Sequence, residues 1–239
     1  MVMNTDKEKK SKRFVVGNWK CSKSYNEAAG WLDTFARNYQ PTEGLQVIIA
    51  PPMIWLNSLA EQLRSLKLPG VTLAAQDVSG FPLGSYTGAI AADMLKGKAE
   101  YALTGHSERR RYFHETSLDV TNKVSEAIDA GIKPIVCVDK TYAMSQLTSL
   151  SEMDTEHMII AYCPVDGLSY REPEPAEKVE EAARFISGIH PYRPIIYAGA
   201  IGPDNAHRYA AVSGIAGLLL GSASLDAEVF NEICLALAE

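Results

Sequence analysis

Two short polar clusters, each placed directly after a run of apolar residues, hold the side chains of this sequence best suited to proton and anion chemistry. The first is Gly17-Asn18-Trp19-Lys20, which follows Arg13-Phe14-Val15-Val16. It aims an amide and an ammonium past the end of a buried run, and Lys20 there could hold a phosphate or an enolate oxygen. Read alone, the tetrapeptide is equally a surface lysine beside a turn asparagine. The second is Thr104-Gly105-His106-Ser107-Glu108-Arg109-Arg110-Arg111, after Tyr101-Ala102-Leu103. His106 falls where an electrophile or proton shuttle belongs, and the attached Ser-Glu-Arg-Arg sets it apart from an ordinary core histidine. His114, His157, His190 and His207 have no metal-ligand spacing and read as surface or core residues, so no metal is expected. Cys21, Cys137, Cys163 and Cys234 lie far apart with no C-x-x-C pair, which points to free thiols rather than a zinc site or a disulfide framework.

These clusters need a scaffold that brings strand ends together. Short apolar runs recur at 13–17, 46–50, 71–75, 101–104, 134–138, 157–162, 194–198 and 217–220, rich in Val, Ile and Leu as parallel strands covered on both faces should be. Between them lie stretches of helical spacing, 24–39, 54–66, 117–130, 176–188 and 205–211, with Trp31 and Phe35 on a core face. Eight β-α repeats with no linker between them close most economically into a (β/α)8 barrel, an α/β fold; an open doubly wound sheet is the competing arrangement. The expected organisation is a polar, Lys-rich leader at 1–13 and one barrel domain at 14–239. In such a barrel the chemistry sits where the strands end, which is where both clusters fall. With 23 Lys plus Arg against 29 Asp plus Glu, a formal charge of -6 argues against nucleic acid and acidic membrane surfaces. No apolar run approaches the roughly 20 residues of a membrane span, so a cytoplasmic protein is expected.

The order Gly-Asn-Trp-Lys at 17–20, Ala50-Pro51-Pro52, Gly-Ser-Tyr-Thr-Gly at 84–88 and Thr-Gly-His-Ser-Glu-Arg-Arg at 104–110 resembles the triosephosphate isomerase family, from about Phe14 to the C-terminus. The resemblance implies isomerisation of glyceraldehyde 3-phosphate and dihydroxyacetone phosphate, or of a related sugar phosphate, in glycolysis and gluconeogenesis, with no cofactor. It implies that Asn18 and Lys20 contact the substrate, that His106 is the neutral imidazole polarising a carbonyl, and that Glu108 organises Lys20. The pairing of that imidazole with a carboxylate base is the family's own, carried over and not read from spacing. It also implies a homodimer, with the loop bearing Tyr86 and Thr87 reaching into the partner.

Where the family has Tyr-Glu-Pro-Val-Trp, this chain has Tyr162-Cys163-Pro164-Val165-Asp166, so the proton-moving glutamate is replaced by a thiol. A cysteine is two bonds shorter, and with a reference pKa of about 8.5 only a few per cent is thiolate at pH 7. The following segment, 166–172, lacks the family's Gly-Thr-Gly. Tyr197-Ala198-Gly199-Ala200 replaces Tyr-Gly-Gly-Ser, and Gly221-Ser222 replaces a Gly-Gly pair. Backbone amides at Gly199, Ala200, Gly221 and Ser222 still suit an anion, and Ser222 offers a substitute hydroxyl. Lys140 and Ala89 each stand where the family has a glutamate, removing two carboxylates from the surroundings of the arginines at 109–111. Three readings follow. The chain is a slow isomerase in which Cys163 or Asp166 acts as base; it is a non-catalytic paralogue that binds a small phosphorylated ligand or a protein partner; or Cys163 is a nucleophile toward an aldehyde, against the plainer reading of a buried, inert thiol.

Overall fold

The computed structural model describes residues 12–164 and 172–238. Eight parallel strands, β1 (Arg13–Asn18), β2 (Leu45–Ala50), β3 (Val71–Ala75), β4 (Tyr101–Thr104), β5 (Lys133–Val138), β6 (Ile159–Tyr162), β7 (Ile195–Tyr197) and β8 (Gly217–Leu220), form a closed barrel in chain order. Closure is made by β1, which pairs with β2 through Val15 and Val47 and with β8 through Val15 and Leu218. The open-sheet alternative is thereby excluded.

The continuous apolar runs are explained by burial on both faces. Side chains such as Val16, Ile48, Leu103, Ile135 and Ile196 fill the barrel interior. Their neighbours along the strands, Val15, Val47, Ile49, Val136 and Leu218, pack outward against the helices. Because all eight strands run the same way, Asn18, His106, Cys163, Gly199 and Gly221 are delivered to one end.

The helices are α1 (Tyr25–Asn38), α2 (Leu56–Leu66), α3 (Ser107–Tyr112), α4 (Ser117–Asp129), α5 (Lys140–Thr148), α6 (Ala176–Ile189), α7 (Pro203–Ala210) and α8 (Ala227–Ala236). Helix α1 starts in a capping box: the Ser24 hydroxyl accepts from the Glu27 N–H, and the Glu27 carboxylate accepts from the Ser24 N–H at 2.7 Å. Such a cap contributes about 1 kcal/mol. Its apolar face buries Ala28, Trp31, Leu32 and Phe35, with the Trp31 and Phe35 rings stacked at 5.2 Å. Helix α4 uses the same device with Thr116 and Asp119.

Sequence periodicity places strand six from His157, whereas β6 begins at Ile159; His157 is exposed in the preceding turn. Three helices also fall outside the stretches that periodicity picks out. Helix α3 is short and buries none of its residues, so it carries no apolar stripe. Helix α5 turns a polar residue, Gln146, into the core, where its amide oxygen accepts from Arg110 Nη2 at 2.9 Å. Helix α8 follows β8 through a one-turn 3-10 segment at Ser222–Ser224 and is largely apolar, which hides the boundary.

Candidate active site

The site begins with a strained backbone. Lys20, just past β1, has φ 52, a left-handed conformation uncommon for a residue with a side chain. Three hydrogen bonds hold it there or nearby. Its N–H donates to Asn18 Oδ1 at 3.0 Å, and Gln76 Nε2 donates to the carbonyls of Lys20 at 2.8 Å and Ala50 at 2.9 Å. Asn18 is 5% exposed, so its work here is to fix the turn that aims Lys20. Gln76 is a functional neighbour that sequence reading passes over, because a glutamine after a strand has no periodic or motif signal of its own.

The aimed ammonium meets Glu108: Lys20 Nζ donates to Glu108 Oε1 at 2.6 Å, with each side chain about one-third exposed. Glu108 is placed by α3, which starts at the end of β4. Gly105 makes the turn possible, since its φ is +68 and a Cβ there would lie 2.8 Å from Arg110 Nη2 and 3.1 Å from the Cys137 carbonyl. His106 follows as the cap of α3, its Nδ1 accepting from the Glu108 N–H at 3.2 Å. An accepting Nδ1 puts the ring proton of the neutral tautomer on Nε2. Burial holds His106 below the usual imidazole range; Glu108 pulls the other way, and Lys20 reinforces the burial. The neutral ring is therefore the resting form near pH 7.

Beside this surface a partly buried ion network ties α3 to α4 and to the loop after β3. Arg109 bonds Asp77 at 2.8 Å and Glu115 at 3.1 Å, while Lys123 reaches Asp77 at 2.6 Å and also Glu115. Asp77 is pushed up by burial in spite of both cations. Arg110 donates to the Gly105 carbonyl at 3.0 Å and to Gln146. Arginines 109 and 110 therefore have partners without the carboxylates replaced by Ala89 and Lys140. Asp77, Glu115 and Lys123 are scattered in sequence, and only the fold brings them together.

A cavity of 360 Å³ at this end of the barrel is lined by Lys20, His106, Cys163 and the segments Ala198–Gly202 and Gly221–Ser222. Lys20, His106, Cys163, Gly199, Ala200, Gly221 and Ser222 are thus brought round one space; Asn18 and Glu108 do not line it, and both bond Lys20. Gly199 has to be glycine, because a Cβ would fall 2.2 Å from the Tyr197 hydroxyl. Tyr86 and Thr87 are not part of this cavity. They lie on an exposed loop where Phe81 and Tyr86 stack at 4.6 Å.

Cys163 is held rigidly, its N–H donating to the Val138 carbonyl at 2.8 Å and its thiol to the Ala161 carbonyl at 3.5 Å. A hydrogen bond with Cys137, burial and the neighbouring charge of Asp139 all push the thiol up, well above its ordinary range. Lys20 pulls it down by less. The thiol is therefore protonated at neutral pH, the opposite of what a thiolate base or an activated nucleophile requires. All four cysteines are free thiols, and Cys163 is buried. Asp166, the other candidate base, and most of the segment at 166–172 lie outside the described residues. On the far side of that segment Glu174 is pinned. Its carboxylate accepts from the Tyr162 hydroxyl at 2.8 Å, its carbonyl from Tyr209 at 2.6 Å, and its N–H donates to the Tyr197 hydroxyl at 3.0 Å.

Burial also holds His190 below the usual imidazole range, as it does His106. The unfolded chain then binds protons that the folded one does not, between the folded pKa values and about 6.5. Stability is full above that window and is lost as pH falls through it. The thermal midpoint is expected to drop between pH 7.5 and 5.5, with a shallower slope in His106→Asn; a midpoint that rises on acidification contradicts the buried neutral rings.

Fold and site together define a (β/α)8 barrel whose working end gathers a lysine, a neutral imidazole and glycine-rich backbone segments around a space for a small anion. The family model described as triosephosphate isomerase matches residues 13–237. The chain is 35% identical to the triosephosphate isomerase of Stenotrophomonas maltophilia, over 95% of this chain and 98% of that one. It is 32% identical to that of Mycoplasmopsis pulmonis, over 93% and 96%. The crystal structure of triosephosphate isomerase from Bartonella henselae superposes with a TM-score of 0.79 at 27% identity, covering 95% of this chain and 100% of that one. This chain belongs to the triosephosphate isomerase family, as a divergent member. Among the described residues no helix is long and apolar enough to cross a membrane, and no cluster of potential metal ligands is present.

Proposed function

We propose that this protein binds a small phosphorylated sugar at the barrel mouth and interconverts triose phosphates far more slowly than a family member with glutamate at position 163. The carrying observation is Cys163 itself, a buried, protonated thiol that lines the cavity with Lys20 and His106. Lys20 supplies the positive charge, the amides of Gly199, Ala200, Gly221 and Ser222 supply donors for the phosphate, and the Nε2–H of His106 faces a substrate carbonyl. No described group supplies the proton acceptor. The same observation favours a second reading, a non-catalytic paralogue that keeps the binding site alone. Either function suits a cytoplasmic homodimer in sugar phosphate metabolism. The exposed Phe81, Leu83 and Tyr86 support an interface on the loop that bears Thr87.

Calorimetric titration with dihydroxyacetone phosphate tests the reading. One saturable site per chain is expected, competed by inorganic phosphate. An absence of binding would sink both versions.

A further inference from the structure

A cavity of 730 Å³ lies at the opposite end of the barrel, where the strands begin. Its floor includes Phe14 of β1 and Tyr101 of β4, both part of the barrel interior. Each ring carries a lysine: Lys12 Nζ stands 5.4 Å from the Phe14 centroid and Lys133 Nζ 5.2 Å from that of Tyr101. Arg193, just before β7, adds a guanidinium to the wall, and its Nε reaches the Thr155 hydroxyl at 3.4 Å. Arg13 is committed to structure, donating to the carbonyls of Ala210 and Ile215 at 3.0 and 2.8 Å.

Two acids temper this charge. Glu156 lines the cavity, and Glu100 pairs with Lys133 at 3.1 Å from a largely exposed position. Burial and the charge of Lys133 together lower Lys12 from the usual lysine range, against a smaller pull from Glu100. The two ammoniums thus oppose one another across an aromatic floor. An anion placed between them relieves that repulsion and is itself better held where the rings exclude water. On a chain of net charge -6, a concave site with this balance is a local exception.

We propose that this cavity is a second ligand site, which takes a compact phosphate-bearing polyanion such as a diphosphate between Lys12, Lys133 and Arg193. Its volume falls in the range of small-molecule sites and is about twice that of the mouth cavity, so a diphosphate on a larger molecule also fits. The two sites lie at opposite ends of the barrel and are separable by mutation.

Inorganic pyrophosphate titrated into the Lys20→Ala protein, whose mouth site is weakened, reads chiefly this end, and variants of Lys12 and Lys133 separate the two. Saturable binding near one per chain is expected, weakening with added salt. On the same background the Lys12→Gln, Lys133→Gln double variant should bind at least tenfold more weakly, whereas Lys12→Arg, Lys133→Arg should keep affinity within about threefold. No binding in Lys20→Ala, or equal affinity in the Gln and parent proteins, overturns the proposal; so does an Arg variant as weak as the Gln one, because it assigns the effect to stem packing and not to charge.

Discussion

Replacing Cys163 with glutamate should raise triose phosphate interconversion by at least a hundredfold. The backbone at this position is already fixed, through the Cys163 N–H on Val138 and the Ala198 N–H on the Tyr162 carbonyl. A glutamate there extends two bonds further than the thiol, into the 360 Å³ cavity shared with Lys20 and His106. A positioned general base contributes about 10²- to 10⁴-fold. The lower part of that range is expected here, because the chain departs from its family in the segment after Cys163. Burial raises the pKa of the new carboxylate toward that of a useful base, and Lys20 opposes the rise. Initial rates of both proteins in a coupled assay decide the matter. A gain below tenfold, with ligand affinity intact, would place the defect outside position 163.

Lys20→Ala should weaken dihydroxyacetone phosphate binding by about 10- to 100-fold, as calorimetry can read. A hydrogen bond to a charged group contributes about 1.5–3 kcal/mol, which spans that range. The loss has a second arm. Lys20 holds Glu108 at 2.6 Å and helps to keep His106 neutral, whereas Glu108 alone favours the charged ring. Without the lysine the imidazole pKa rises, which NMR titration of the ring resolves. An unchanged imidazole titration would show that Lys20 does not act on the ring, either directly or through Glu108.

The barrel was legible in the sequence because a parallel strand covered on both faces must be apolar along its whole length. Eight such runs, each followed by a polar segment, left few alternatives. The interiors of the strands were accordingly well placed, while helices without an apolar stripe were not: α3 is polar throughout, and α5 buries Gln146. At the site, Lys20, His106 and Cys163 stood out by motif, since each falls within two residues of a strand end. The groups that position them did not. Gln76 acts on Lys20 across 56 residues, and Lys123 meets Asp77 across 46. Long-range polar pairing has no period in the chain. The protonation of Cys163 was only half visible; the thiol could be read from the sequence, but its burial beside Cys137 and Asp139 required the fold.

The most direct test of the central claim is deuterium uptake into dihydroxyacetone phosphate, followed by NMR in heavy water with the unmodified protein at saturating ligand. Abstraction of the carbon-bound proton is the step that a missing base prevents, and uptake reports it whether or not product is released. The expected result is uptake at or close to the rate in buffer alone, while calorimetry shows the ligand bound. Rapid uptake that disappears in His106→Ala would contradict the account, because it would mean that another group already serves as the base.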